Sequence, residues 1–467
     1  MRWIALAIVL LTAFPCRISE GVEQLFDTGT LVQGIECVSD PTQTYSLYLP
    51  SEYDPQRSWP ALLVFDPRGR SAVAADLFLG AAEEFGWIVV SSNDTRSDTD
   101  MGINRRAVNA LWPEIHSRYS IDVRRVYAAG FSGTVFVALR LGAETGRLAG
   151  AILAGGPFFE EQLAGVDFPV FGTVGTLDFN NREMRMLHAR LADEGIRNRL
   201  EIFEGGHTWM PAAFARGAVV WMSLQAMRNG TMPHDTALIE RAYRDDLSAA
   251  DTMVASGDLL GASRRLHAAV TDYRGLTDVA MAAEQMAALN KDPLLSKARA
   301  QEKHLDGFEA GYIRSMRGVF RAFIETDPAL PPKKLVGELD LDDLARRVDR
   351  GGVEGQAAQR LLSTVLTTTS FYLSRDLMAA GRPNHAASVL AVACEIDGQN
   401  PVIWYNRACA LARAGRRSTA LDALEAAVDR GFDDLELMSG DSDLGSVRRT
   451  DRYRELVRRL KGVGRDQ

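Results

Sequence analysis

The sequence predicts an α/β domain followed by an all-helical one, and three observations carry that prediction. Residues Tyr127–Thr134 read as a strand entering a Gly-x-Ser-Gly turn, and the apolar run Val135–Leu139 after it reads as a helix. Two later strand patterns, Pro169–Gly175 and Arg199–Phe203, are separated by a helical pattern from about Arg182 to Glu194, the alternation that builds a parallel sheet. Beyond about residue 235 strand-like alternation stops, and alanine, leucine and arginine recur at helical spacing almost to the end. A chain of 467 residues is long enough for two cores. Gly230, Pro233 and their polar neighbours between Asn229 and Asp235 interrupt both patterns, so the domains are placed at 22–230 and 236–467.

In chain order, Met1–Leu11 is one positive charge followed by an apolar run too short for a comfortable membrane span. It reads as a secretory signal over residues 1–21, with Ser19 and Gly21 as the small residues of a cut before Val22. The expected location is therefore outside the cytoplasm, periplasmic or extracellular, with a membrane tether only if the segment stays uncleaved or lipidated. Cys16 stands where a lipid could attach, but Pro15 before it fits such a signal poorly. The run Ala61–Phe65 reads as a buried strand, followed by the loop Asp66-Pro67-Arg68-Gly69-Arg70.

The Gly130-Phe131-Ser132-Gly133 turn has the layout of a nucleophile elbow with Ser132 at its tip. A serine is protonated at neutral pH, so it attacks a carbonyl only if a histidine removes its proton. On such an elbow the carboxylate and then the histidine follow in the chain, each on a loop after a later strand. Asp178 lies just past the strand ending at Gly175, and His207 follows Arg199–Phe203 in Glu204-Gly205-Gly206-His207-Thr208-Trp209. Of the seven histidines, His116 and His188 fall in helical patterns, and four lie beyond the first domain. Asp167 sits at the start of its strand, the wrong end for this role. The oxyanion hole is expected from the amides of Gly133 and, because Pro67 has no N–H, of Arg68. Arg70 is a candidate for binding an acidic substrate, and Phe131 and Trp209 for lining an apolar pocket.

With these residues, the stretch from about Leu31 to Gly230 resembles the α/β-hydrolase fold, most closely secreted esterases of the polyhydroxybutyrate depolymerase and feruloyl esterase type. The matching pieces are Tyr45–Pro50, Asp66-Pro67-Arg68-Gly69, Gly130-Phe131-Ser132-Gly133 and Gly205-Gly206-His207-Thr208-Trp209. The resemblance implies hydrolysis of a small-molecule or polymer-borne carboxylic ester through an acyl-enzyme, with Ser132 as nucleophile, His207 as base and then acid, and Asp178 as orienting carboxylate. Two positions depart from the pattern. Thr134 replaces a usual glycine, which sets the helix slightly farther from the strand, and Asp66-Pro67 replaces His-Gly. A peptidase of the same fold needs the same triad.

The remaining features are exclusions and a repeat. With a net charge of −8 the chain has no basic balance suited to nucleic acid. No His/Cys cluster at zinc spacing and no Gly-rich phosphate loop occur, so neither metal nor cofactor is expected. Cys37, Cys394 and Cys409 make no disulfide framework, and Cys394 and Cys409 are read as packing residues, with a single bridge between them as the alternative. Gly381, Ala386, Leu390 and Ala393 recur as Gly415, Ala420, Leu424 and Ala427, a shift of 34 (415 minus 381), the tetratricopeptide period. The second domain thus resembles tetratricopeptide repeats, clearest at 367–400 and 401–434. Its middle from about Asp292 to Leu361 is less regular, with a loop at Pro328–Lys334. Stacked helix pairs commonly bind a protein or peptide. An interaction module built on an inactive hydrolase fold is therefore the competing reading.

Overall fold

The computed structural model describes residues 26–463. The expected signal segment, with Cys16, Ser19 and Gly21, lies outside the described residues. Eight strands, β1 (Leu31–Glu36), β2 (Thr44–Tyr48), β3 (Trp59–Phe65), β4 (Ile88–Ser92), β5 (Ile121–Phe131), β6 (Gly150–Ala154), β7 (Val170–Gly175) and β8 (Asn198–Phe203), form one sheet in the order β1-β2-β4-β3-β5-β6-β7-β8. β2 runs antiparallel to β1 and β4, whereas β3 is parallel to β4 and β5, and β7 to β8. Every residue of β3, β4 and β6 is buried, as expected of strands that helices cover on both faces, and apart from Ser91 and Ser92 they are apolar or glycine. The first three helices are α1 (Ser71–Phe85), α2 (Met101–Arg118) and α3 (Val135–Thr145). Right-handed crossovers fix the sides: β3 to β4 steps one way along the sheet and β4 to β5 steps back, so α1 and α2 cover opposite faces. This is the α/β-hydrolase fold.

By its internal contacts the chain divides into two compact units. One comprises the residues up to Ile152 with Glu161–Phe168 and Ala215–Val219; the other comprises Leu153–Glu160, Pro169–Phe214 and the chain from Val220 onward. In the first, α1 packs on β1 to β4, while α2 and α3 pack on each other and on β5. The second holds β7, β8, α4 (Asn181–Asp193) and the C-terminal helices, while α5 (Ala212–Arg228) contributes residues to both. The interruption at Asn229–Asp235 falls between α5 and α6 (Thr236–Ser256).

Within the second unit β8 is bound to the first C-terminal helices by charge. Arg199 of β8 is buried, pairs with both carboxylate oxygens of Asp246 in α6 at 2.7 and 2.9 Å, and reaches Asp272 in α7 (Leu259–Tyr273) at 3.3 Å. Arg265 joins Asp246 to Glu201, and the Tyr273 hydroxyl donates to Asp246 at 2.9 Å. Burial alone would raise the Asp246 carboxyl, but the two guanidinium groups outweigh it and hold it at about 2.

Helix α4 lies against β7 because Gly172 has no side chain: a Cβ there would sit 2.0 Å from His188 Nε2. His188 is wholly buried, with Nδ1 2.9 Å from Asn198 Oδ1, and burial pushes it down from 6.5 to about 4. The unfolded chain therefore takes up this proton first as pH falls. His188 leaves stability intact above pH 6.5 and removes about 3 kcal/mol progressively between 6.5 and 4. His188→Gln is expected to flatten that slope, read from urea midpoints across this pH range; an unchanged slope would assign the acid sensitivity elsewhere.

The chain continues through α8 (Ala280–Leu289), α9 (Pro293–Glu325), α10 (Pro332–Glu338), α11 (Leu341–Arg350), α12 (Gly352–Thr367), α13 (Leu373–Ala379), α14 (Pro383–Ile396), α15 (Pro401–Arg413), α16 (Arg417–Asp429), α17 (Leu435–Gly440) and α18 (Asp451–Val463). Gly381 and Gly415 occupy left-handed turns, φ 71° and 75°, between α13 and α14 and between α15 and α16. The recurring Ala386, Leu390, Ala393, Ala420, Leu424 and Ala427 are all buried in one apolar cluster. The less regular middle contains the long helix α9, so what lapses there is the repeat and not the helix. The expected loop at Pro328–Lys334 ends early, because Pro332 opens α10 at a first-turn position where its missing N–H costs nothing. Cys37, Cys394 and Cys409 are buried free thiols, which settles the pairing alternative for packing.

Candidate active site

The elbow belongs to the first unit. Ser132 directly follows β5 with φ 52°, a left-handed backbone that a non-glycine residue adopts at a cost of about 1–3 kcal/mol. Two neighbours hold it there. Gly130 brings strand and helix together: a Cβ on it would meet the Thr134 carbonyl oxygen at 2.4 Å. The fully buried Thr134 hydroxyl accepts the Phe131 N–H at 3.1 Å and lies 2.5 Å from the Phe65 carbonyl at the end of β3. The threonine thus does more than space the helix, since its hydroxyl ties the elbow to the neighbouring strand. Gly133 is confined by Ser97, whose Cβ would lie 2.6 Å from a Cβ at that position.

The loop after β3 corrects two expectations. Asp66 is fully buried, and its Oδ1 accepts the Arg68 N–H at 2.8 Å, so the amide assigned to the oxyanion hole is already used within the turn. The Arg70 guanidinium, expected to meet substrate, forms a two-point pair with the same carboxylate at 3.1 and 2.9 Å. A buried carboxylate takes its charge partners from the nearest donors, here those of its own loop. The turn is further fixed by Thr95 Oγ1 donating to the Asp66 carbonyl and Ser97 N–H to the Pro67 carbonyl. Asp66-Pro67 is therefore a rigid, charge-closed turn.

The second unit brings Asp178 and His207 together. His207 Nδ1 lies 2.9 and 3.0 Å from the two oxygens of Asp178, whose carboxylate is fully buried, while the imidazole is 22% exposed. A carboxylate on Nδ1 keeps the proton of the neutral ring there and leaves Nε2 as the basic atom. Asn180 N–H donates to Asp178 Oδ1 at 2.8 Å, and the Phe179 ring rests on the imidazole with centroids 4.2 Å apart. Sequence reasoning passed over Phe179 and Asn180, although both adjoin Asp178. Phe131 and Trp209, the expected pocket residues, are buried at 6% and 7% exposure.

The acid turn and the histidine loop are stitched to each other. Thr176 N–H donates to the Phe203 carbonyl and Leu177 N–H to the Gly205 carbonyl, both at 2.8 Å, and Gly205 N–H donates to Thr176 Oγ1 at 3.3 Å. Gly175 permits the approach: a Cβ there would meet the carbonyl oxygens of Gly205 and Gly206 at 2.4 and 2.5 Å. Gly175→Ala is expected to push the His207 loop off Asp178. The His207 Nδ1–H proton resonance of the purified variant should broaden or move, and an unmoved resonance would show that the loop tolerates the displacement.

Among the described residues no group of His, Cys, Asp and Glu is arranged to hold a metal ion, and no helix is long and apolar enough to cross a membrane. No family model matches the chain, and no curated protein matches it. Among solved structures the chain is similar to FphF, a fluorophosphonate-binding serine hydrolase of Staphylococcus aureus, at 12% identity and TM-score 0.35 over 41% of this chain and 97% of that one. It is also similar to a ferulic acid esterase (14%, TM-score 0.35, 42% of this chain and 98% of that one). A third likeness is to a dipeptidyl peptidase 4 of Porphyromonas gingivalis (14%, TM-score 0.34, 42% and 35%). Scores this low carry no argument about activity, which has to come from the chain's own residues.

Proposed function

We propose that the protein is a serine hydrolase that cleaves carboxylic esters through an acyl-enzyme, with Ser132 as nucleophile, His207 as general base and acid, and Asp178 as the orienting carboxylate. The observation that carries this reading is the left-handed Ser132 at a strand-to-helix elbow, held there by the close approach of Gly130 to Thr134 and by the Thr134 hydroxyl. The His207–Asp178 pair supplies the matching acid–base half. In acylation Ser132 Oγ attacks the ester carbonyl as its proton passes to His207 Nε2, and the Gly133 amide steadies the oxyanion. Collapse of the tetrahedral intermediate breaks the C–O bond, and His207 returns the proton to the leaving alcohol. Water then repeats the sequence on the acyl group and frees the acid.

The test is labelling of the purified protein with a fluorophosphonate probe, which traps only an activated serine. Wild type is expected to label, and Ser132→Ala and His207→Ala to fall by about 10⁴- to 10⁶-fold in labelling and ester turnover. Folded wild-type protein that takes up no label would remove the hydrolase reading and leave the interaction module. Label without ester turnover, but with cleavage of peptides, would convert the assignment to a peptidase.

A further inference from the structure

Thr176, which opens the acid turn, has every polar atom engaged. Its N–H and Oγ1 bind the histidine loop, and its carbonyl accepts Arg360 Nη1 of α12 at 2.9 Å, 184 residues away in sequence. Arg360 is aimed by Glu309 of α9, a buried carboxylate that pairs with its other terminal nitrogen. A second line runs beside the first. Asn181 Nδ2 donates to the Gly175 carbonyl at 2.8 Å, Asn181 Oδ1 accepts Arg185 Nε at 3.1 Å, and Arg185 pairs with Asp306 of α9 at 2.7 Å. Thr176 also borders an open cavity of about 560 Å³, lined by Leu200 and Met253 together with charged side chains that include Arg185, Glu201 and Arg360 itself, so the turn has unfilled space on that side. Both lines end on backbone carbonyls within three residues of Asp178.

We propose that Arg360 is a positioning residue: through Thr176 it holds the acid turn so that both Asp178 oxygens face His207 Nδ1, and the helices α9 and α12 are thereby structural parts of the acid–base machinery. As far as catalysis is concerned, the inference rests on the hydrolase reading. Its geometric content, that Arg360 fixes the His207–Asp178 hydrogen bond, does not. Arg360 touches neither substrate nor reacting atoms, so it acts through alignment alone, and a misalignment of about 1 Å at a reacting group costs on the order of 10²-fold.

Arg360→Met alone would strand the buried Glu309 charge and could unfold the chain, so the informative variant is Arg360→Met with Glu309→Met, which removes both charges together. Two readouts are compared with wild type and Arg360→Lys: the rate of fluorophosphonate labelling with kcat and KM for a short-chain aromatic ester, and the far-downfield proton resonance of His207 Nδ1–H. The double variant is expected to lose about 10- to 100-fold in labelling rate and kcat with KM within about twofold, and its resonance to broaden or move. Arg360→Lys, which keeps a donor, should recover most of both. A folded double variant with wild-type labelling and an unmoved resonance would overturn the proposal. Should wild type take no label while its resonance still depends on Arg360, the esterase reading fails and the positioning role stands.

Discussion

Asp178→Asn is expected to lower ester turnover by about 10⁴-fold while the protein keeps its fold. The substitution preserves shape and one acceptor, so the Asn180 N–H that now donates to Asp178 Oδ1 still has a partner. The change falls on the imidazole. Both Asp178 oxygens face His207 Nδ1, and an amide puts an N–H in place of one of them. Nδ1 then becomes the acceptor and the ring carries its proton on Nε2, where it cannot receive one from the serine. The loss should appear in kcat/KM with little change in thermal midpoint. Asp167→Ala is the control, expected to turn over ester like wild type; loss of activity there with Asp178→Asn spared would reassign the acid.

The second large effect is on stability. Arg199→Met should destabilise the protein by about 3–5 kcal/mol, because it leaves the buried Asp246 with Arg265 alone of its two guanidinium partners and takes the Arg199 pair from the buried Asp272. Removing one partner costs more than the pair contributes, since carboxylates already out of water lose their compensation and keep their desolvation. The loss is expected as a drop in urea midpoint with unchanged slope, and it should be smaller when Asp246→Leu and Asp272→Leu accompany Arg199→Met. If Arg199→Met alone unfolds at the wild-type midpoint, the cluster is not what joins β8 to α6 and α7.

What the sequence made legible was local. Ser132 and Asp178 follow strands whose apolar runs, with glycine at or near the end, can be read within ten residues, His207 follows the alternating strand Arg199–Phe203 and two glycines, and Gly381 and Gly415 announced their turns in the same way. The Arg68 assignment failed because it depended on the burial of Asp66, which no local pattern encodes: an aspartate before proline reads as a solvated turn former until the elbow and the loop after β4 are seen to close over it. Arg360 was beyond reach for a related reason. One arginine on an amphipathic helix looks like every other, and its partner is a carbonyl, which has no sequence signature at all. The Asp66-Pro67 departure pointed to the right loop, although the sequence could not reveal that its charge is neutralised internally by Arg70.

The tie between Thr176 and Arg360 also bears on the order of events as the chain is made. A ribosome delivers Asp178 and His207 long before α12, since 182 residues separate Asp178 from Arg360 (360 minus 178). Through that interval the carbonyl of Thr176 lacks its clamp, while the Gly130 and Thr134 contacts that hold the elbow at Ser132 come from residues already translated. The nascent protein thus completes the Ser132 elbow early and the bracing of the Asp178–His207 pair late. A chain that ends between His207 and Arg360 would carry the Ser132 elbow and the Asp178–His207 pair without the Arg360 clamp on Thr176.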